Sequence, residues 1–216
     1  MSQADILRVI ASILALAIAI IGHEIMHGYI AYKYGDDTAK RAGRLTINPI
    51  SHIDPIGTIL VPAILYLSHA PFLFGWAKPV PVDMNRVIRN GGYSAAIAVA
   101  LAGITYNLIV AALAATLLPL FMPPHSFFEL FILYFLTELV IINVVLAVFN
   151  LWPIPPLDGS QALLYLALKF KLYKLASFYE RIYPYGMMIV LLILFIPQLS
   201  YILFLPVQWI LDILLP

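Results

Sequence analysis

A chain of 216 residues that is 63% hydrophobic and only 11% charged, with a mean hydropathy of +0.97, is too apolar for a soluble domain, which sits nearer roughly half apolar and about a quarter charged. The net charge of +1 and the lack of a basic arm give no sign of a nucleic-acid partner, so the lipid bilayer is the expected surrounding. With no cysteine, the chain has no disulfide framework, thiolate ligand or thiol nucleophile, and nitrogen and oxygen must hold any metal.

A spanning segment needs roughly 20 apolar residues. Segment one is expected over 5–32; it is too long for a signal-peptide core and should be retained. A polar connector, 33–54, carries Lys33, Lys40, Arg41 and Arg44. An apolar piece over 56–74 is interrupted by Pro62 and Pro71. The stretch 75–92 is polar again, with Lys78, Arg86 and Arg89. Segment two spans 93–121, the link MPPHS follows, and segment three spans 127–149. The loop NLWPIPPLDGS, 150–160, leads to a short apolar stretch, 161–168, and then to Lys169, Lys171, Lys174 and Arg181. Residues 182–214 are apolar and broken at Pro197-Gln198; they read as two short spans or one helical hairpin. No internal repeat and no soluble domain is visible.

Basic residues fix orientation, because loops rich in Lys and Arg stay in the cytoplasm. All but Arg8 of the 12 Lys and Arg fall within 33–44, 78–89 and 169–181. One arrangement puts all three clusters inside. The N-terminus lies outside, segment one runs inward, two outward, three inward, and the terminal hairpin goes out and back. The 56–74 piece must then leave by the face it enters, so it is expected to be re-entrant. The expected fold is an all-α polytopic membrane protein. A membrane-embedded core, 1–160, holds three catalytic helices and a re-entrant or β surface element over 43–90. An interfacial helix and transmembrane hairpin follow over 161–216.

Segment one contains IAIIGHEIMHGYI, 18–30, which sets His23, Glu24 and His27 among apolar residues. An ionisable side chain in hydrocarbon costs several kcal/mol, so three in five residues need a compensating role. On a helix, residues i and i+4 share a face, and both imidazoles can reach one zinc ion. Glu24 follows at i+1, where it can hold and deprotonate a water on the metal. Elsewhere, His-Glu-x-x-His is often an ordinary solvated pattern; here there is no water to solvate it. If the helix leaves the membrane near Lys33, His27 lies ~9 Å and His23 ~15 Å beneath the cytoplasmic surface.

A catalytic zinc usually has three protein ligands and an open position. The loop after segment three reaches the same membrane face and carries Asp158. Pro153, Pro155 and Pro156 stiffen it, and Gly159 permits a sharp turn or close approach. Pro-Leu-Asp-Gly also fits a surface turn in which Asp158 starts the next helix. The lack of another third ligand for the histidine pair favours the metal.

GHEIMHGYIAYKYGD, AGITYN at 102–107 and NLWPIPPLDG at 150–159 together resemble the site-2 proteases, which cut peptide bonds inside the membrane. The resemblance covers roughly 18–160. It implies His23, His27 and Asp158 as ligands of one Zn2+ per chain, Glu24 as the catalytic glutamate, and Asn150 as a residue that positions substrate or stabilises an oxyanion. NPISHIDPIGT (48–58) and FGWAKPVPVD (74–83) look like the compact branch without an inserted PDZ domain. One departure is Ile104, where the family pattern carries proline; only a local effect on segment two is expected.

Asn107 and Glu138 fall at one level and are expected to face each other or a wet pocket, with Asn107 a candidate substrate contact. A hydrogen bond tying segments two and three is the competing reading, and Asn143 shares it. His52 and Asp54 fit a turn held by Asn48, Pro49 and Pro55 better than an accessory metal site or gate. His69 and His125 read as interfacial. Arg44-Leu-Thr-Ile and Val80-Pro-Val-Asp alternate like strands and are expected to form a small sheet, whose edge could take an extended substrate. The expected activity is hydrolysis of a peptide bond in or near a transmembrane segment of a membrane-protein substrate. The rival is a non-enzymatic metal transporter or a scaffold that binds transmembrane helices.

Overall fold

A computed structural model describes residues 2–70 and 74–216. Pro71 lies outside the described residues. The described residues contain no strand. Helix α1, Gln3–Lys33, starts at a capping box in which Ser2 and Asp5 bond each other's backbone N–H. A short α2, Thr38–Arg41, follows. A π-helical turn, Pro55–Leu60, runs into α3, Val61–Leu67. Helix α4 covers Met84–Leu117, with a break at Gly92, whose φ of 65° only glycine adopts readily. Then come α5, Phe127–Leu151, α6, Asp158–Lys169, and α7, Tyr173–Ile182. Helices α8, Gly186–Phe195, and α9, Pro197–Leu214, close the chain. Among the described residues, five stretches are long and apolar enough to cross a membrane: α1, α4 with its 3-10 extension to Phe121, α5, α7 continued through α8, and α9.

Helices α1, α4 and α5 pack against one another. On α1 the buried stripe is Ala11, Ala15, Ala19 and His23, at four-residue spacing. Small side chains let backbones approach closely, which drives association where lipid removes the hydrophobic gain. The apolar windows of α4 and α5 are 44% and 39% buried, against 17% for α1 and 11% for α9, so α4 and α5 form the centre and α1 and α9 face outward. Val140, Val144, Val148 and Leu139 of α5 meet Ala111, Ala114 and Leu118, with Ala15 and Val207 completing the cluster.

The expected small sheet is absent among the described residues. Pro79 and Pro81 remove two N–H groups that a ladder would need. The donors that remain are used elsewhere: Lys78 N donates to His52 O at 2.9 Å, and Val80 N to Glu24 Oε2 at 2.9 Å. The 55–67 helical piece is too short to span, at ~20 Å by helical rise. The chain also returns to its start: Trp76 N donates to Gly57 O at 3.1 Å, and Thr58 Oγ1 to Trp76 O at 2.9 Å.

Candidate metal centre

His23 and His27 lie one turn apart on α1, and Asp158 is the first residue of α6. The two Nε2 atoms are 3.1 Å apart. Asp158 Oδ2 lies 3.0 Å from His23 Nε2 and 3.3 Å from His27 Nε2. The opposite nitrogens are engaged: His23 Nδ1 lies 2.6 Å from Asn107 Oδ1, and His27 Nδ1 lies 2.7 Å from Val99 O. A backbone carbonyl only accepts, so His27 Nδ1 holds a proton, and in the neutral ring Nε2 carries the lone pair.

This donor set fits a divalent cation. Asp158 Oδ2 is buried and receives no hydrogen bond. An orphaned carboxylate oxygen beside two imidazole nitrogens is an expensive arrangement unless a positive charge sits between them. Two imidazoles and a carboxylate are zinc donors with a fourth position left open. Among the described residues this is the group of three that could hold a metal ion.

The packing around the triangle is tight. A Cβ on Gly103 would stand 2.5 Å from the His23 ring, so α4 needs glycine there. The loop carrying Asp158 is braced from behind. Trp152 Nε1 donates to Leu203 O at 3.0 Å, and Tyr179 OH donates to Pro153 O at 3.2 Å. Leu157 packs with Val190, Leu194 and Leu203. Gly159 approaches the Leu151 carbonyl so closely that a Cβ would fall 2.0 Å from its oxygen. Asp158 therefore both starts a helix and meets the histidines; the two sequence readings describe one geometry.

Glu24 is half-buried, with Oε2 held by the Val80 N–H. Asn150 ends up inside α5 rather than at a loop start, and its Nδ2 donates to Leu146 O at 2.9 Å. Asn107 is fully buried. Its Nδ2 donates to Ala19 O at 3.1 Å and to Asn143 Oδ1 at 2.8 Å. It therefore serves the imidazole and the helix contact, with no donor left for a substrate. Glu138 does not meet Asn107; it pairs with Arg8 at 3.2 Å, across to α1. His52 Nε2 lies 2.9 Å from Thr46 O, and Asp54 caps the turn at Ile56 and Gly57, so both belong to local structure. The Val80 N–H went unread in the sequence because a backbone donor carries no residue signature; its flanking prolines were the available hint.

The sequence profile of peptidase family M50 matches residues 122–194, the part that holds α5 and the Asp158 loop. The chain is 42% identical over 153 residues, 69% of its length and 65% of the relative's, to "Putative zinc metalloprotease YwhC" of Bacillus subtilis (strain 168). It is 30% identical over 142 residues, 65% of its length and 51% of the relative's, to "Putative zinc metalloprotease Rip2" of Mycolicibacterium smegmatis. The chain thus spans less than two thirds of either relative. No solved structure matches it.

Proposed function

Because the chain belongs to peptidase family M50, the site-2 protease family, we propose that it is an intramembrane zinc endopeptidase acting on transmembrane protein substrates. One observation carries the reading: two histidines of a spanning helix and an aspartate from a distant loop bring three ligand atoms together, beside a glutamate on the same helical turn. His23, His27 and Asp158 hold one zinc. When bound, the ion supplies Lewis-acid polarisation of a carbonyl and acidifies water. Glu24 takes a proton from water and passes it to the leaving amine. Val80 N–H holds Glu24 Oε2, while Oε1 accepts no hydrogen bond among the described residues and is the oxygen available to a proton. Asn150, by rotating its carboxamide away from Leu146 O, positions the substrate backbone. Water reaches the site from the cytoplasmic side, and the N-terminus lies outside, in keeping with the basic connectors. The substrate helix has to unwind locally, because a helical peptide bond is shielded from attack.

The test is incubation of purified protein with single-pass membrane substrates, with and without a zinc chelator, followed by mass mapping of the products. Cleavage inside or at the edge of the transmembrane segment, lost with chelator, is the expected result. Chelator-insensitive cleavage contradicts the proposal. Zinc flux into liposomes with no cleavage would favour transport instead.

A further inference from the structure

Three buried polar side chains from three helices form a chain that ends on a metal ligand. We infer that Asn143 and Asn107 are positioning residues that hold His23 in the tautomer protonated on Nδ1, with the Nε2 lone pair facing Asp158. The inference deepens the metalloprotease reading and rests on it only for His23 being a ligand.

The direction of the chain follows from its ends. Asn143 Nδ2 lies 2.8 Å from Leu139 O, a backbone carbonyl that can only accept. The Asn143 carboxamide therefore presents Oδ1 to Asn107. Asn107 must answer with Nδ2, at 2.8 Å, and the same nitrogen serves Ala19 O at 3.1 Å. Turning Asn107 over would point its carbonyl at two acceptors. Asn107 Oδ1 is thus committed to His23, and at 2.6 Å from Nδ1 it requires the proton there. A neutral imidazole protonated on Nδ1 has its lone pair on Nε2, the atom 3.0 Å from Asp158 Oδ2. Asn107 and Asn143 are both fully buried, so no water can substitute for a missing partner.

The arrangement also explains why a second carboxamide is present. Ala19 O uses one N–H of Asn107, and Asn143 takes the other. Asn143 touches neither His23 nor Asp158, yet it closes the only flipped state of Asn107 that would let His23 turn its proton toward the ligand triangle. The two act in series, so losing Asn143 matters only while Asn107 is present.

The experiment uses the full chain, zinc-free, labelled with 15N-histidine, with His23 assigned by comparison with His23→Gln. The expected wild-type spectrum has His23 protonated on Nδ1. Asn107→Leu should let His23 populate both tautomers and weaken zinc binding by about 10- to 100-fold, the usual cost of losing a partner behind a ligand. Asn143→Leu should weaken it less, within about tenfold, because Ala19 O still orients Asn107. The double variant should bind zinc like Asn107→Leu alone. A His23 with no proton on Nδ1 in the wild type overturns the inference, even where a variant fails to fold. So does an Asn107→Leu protein with unchanged zinc affinity and tautomer, or losses that simply multiply in the double variant. A wild type that binds zinc but cuts no membrane substrate would refute the protease reading and leave the tautomer result standing.

Discussion

Glu24 and Asp158 are both carboxylates near the same two imidazoles, yet their surroundings assign them different work. Asp158 Oδ2 is buried without a hydrogen bond and aimed at both Nε2 atoms, as a ligand should be. Glu24 is held at one oxygen by a backbone N–H and keeps the other, as a proton carrier should. Glu24→Gln should therefore lower cleavage by about 10²- to 10⁴-fold, the range for losing a general base, while zinc content stays at the wild-type value. Asp158→Asn should do the reverse in binding: it should release zinc and with it activity. Paired measurement of zinc content and cleavage on the two purified variants separates the roles. Zinc loss in Glu24→Gln would reassign that glutamate as a ligand. The convergence of His23, His27 and Asp158 was legible in the sequence because ionisable residues in an apolar segment have few alternatives. The partner of Asn107 was not, since helical periodicity says that a side chain faces inward but not which side chain on another helix it will meet. Glu138 was misjudged for the same reason: its partner is Arg8, the one basic residue outside the three clusters.

The element that decides the site is the turn between α5 and α6, which must carry a carboxylate to a fixed point without regular backbone hydrogen bonds. Its prolines limit the chain's freedom, but the bracing comes from the C-terminal helices, through Trp152 to Leu203, Tyr179 to Pro153, and Leu157 among Val190, Leu194 and Leu203. The C-terminal helices thus brace the loop that carries Asp158. Trp152→Phe removes one hydrogen bond and should cost about 1 kcal/mol, read as a lower unfolding temperature with little change in zinc stoichiometry. Gly159→Ala is more severe. Its Cβ would meet the Leu151 carbonyl oxygen at 2.0 Å, and backbone cannot yield as a side chain can. Overpacking of this kind costs about 1–3 kcal/mol, and displacing Asp158 should weaken zinc binding as well. A Gly159→Ala protein with wild-type stability and affinity would show that the turn is looser than described. The strand expectation failed at this same scale. Val80-Pro-Val-Asp alternates as a strand does, but alternation cannot form a ladder when prolines remove the donors and Glu24 takes the one between them.

At the scale of the whole molecule, the described residues contain five helices long and apolar enough to cross a membrane, the make-up of a multi-pass membrane protein. The helices were readable from length and composition, because 20-residue apolar runs have one stable form in lipid. The turns of α4 before the break at Gly92 were not, since Asn85, Arg86, Arg89 and Asn90 read as part of a polar connector. The lack of native cysteine makes topology directly measurable. Single cysteines placed at Lys171 and at His125 should label from opposite sides of the membrane, with Lys171 on the cytoplasmic side. Labelling of both from one side would overturn the inside-positive arrangement. The most direct test of the central claim is the zinc content of the purified chain set against that of Asp158→Ala. Two imidazoles and one carboxylate converging on a single cation require one zinc per wild-type chain and its loss from the variant. A wild-type chain that takes up no zinc, or an Asp158→Ala chain that holds it as tightly, would contradict the account.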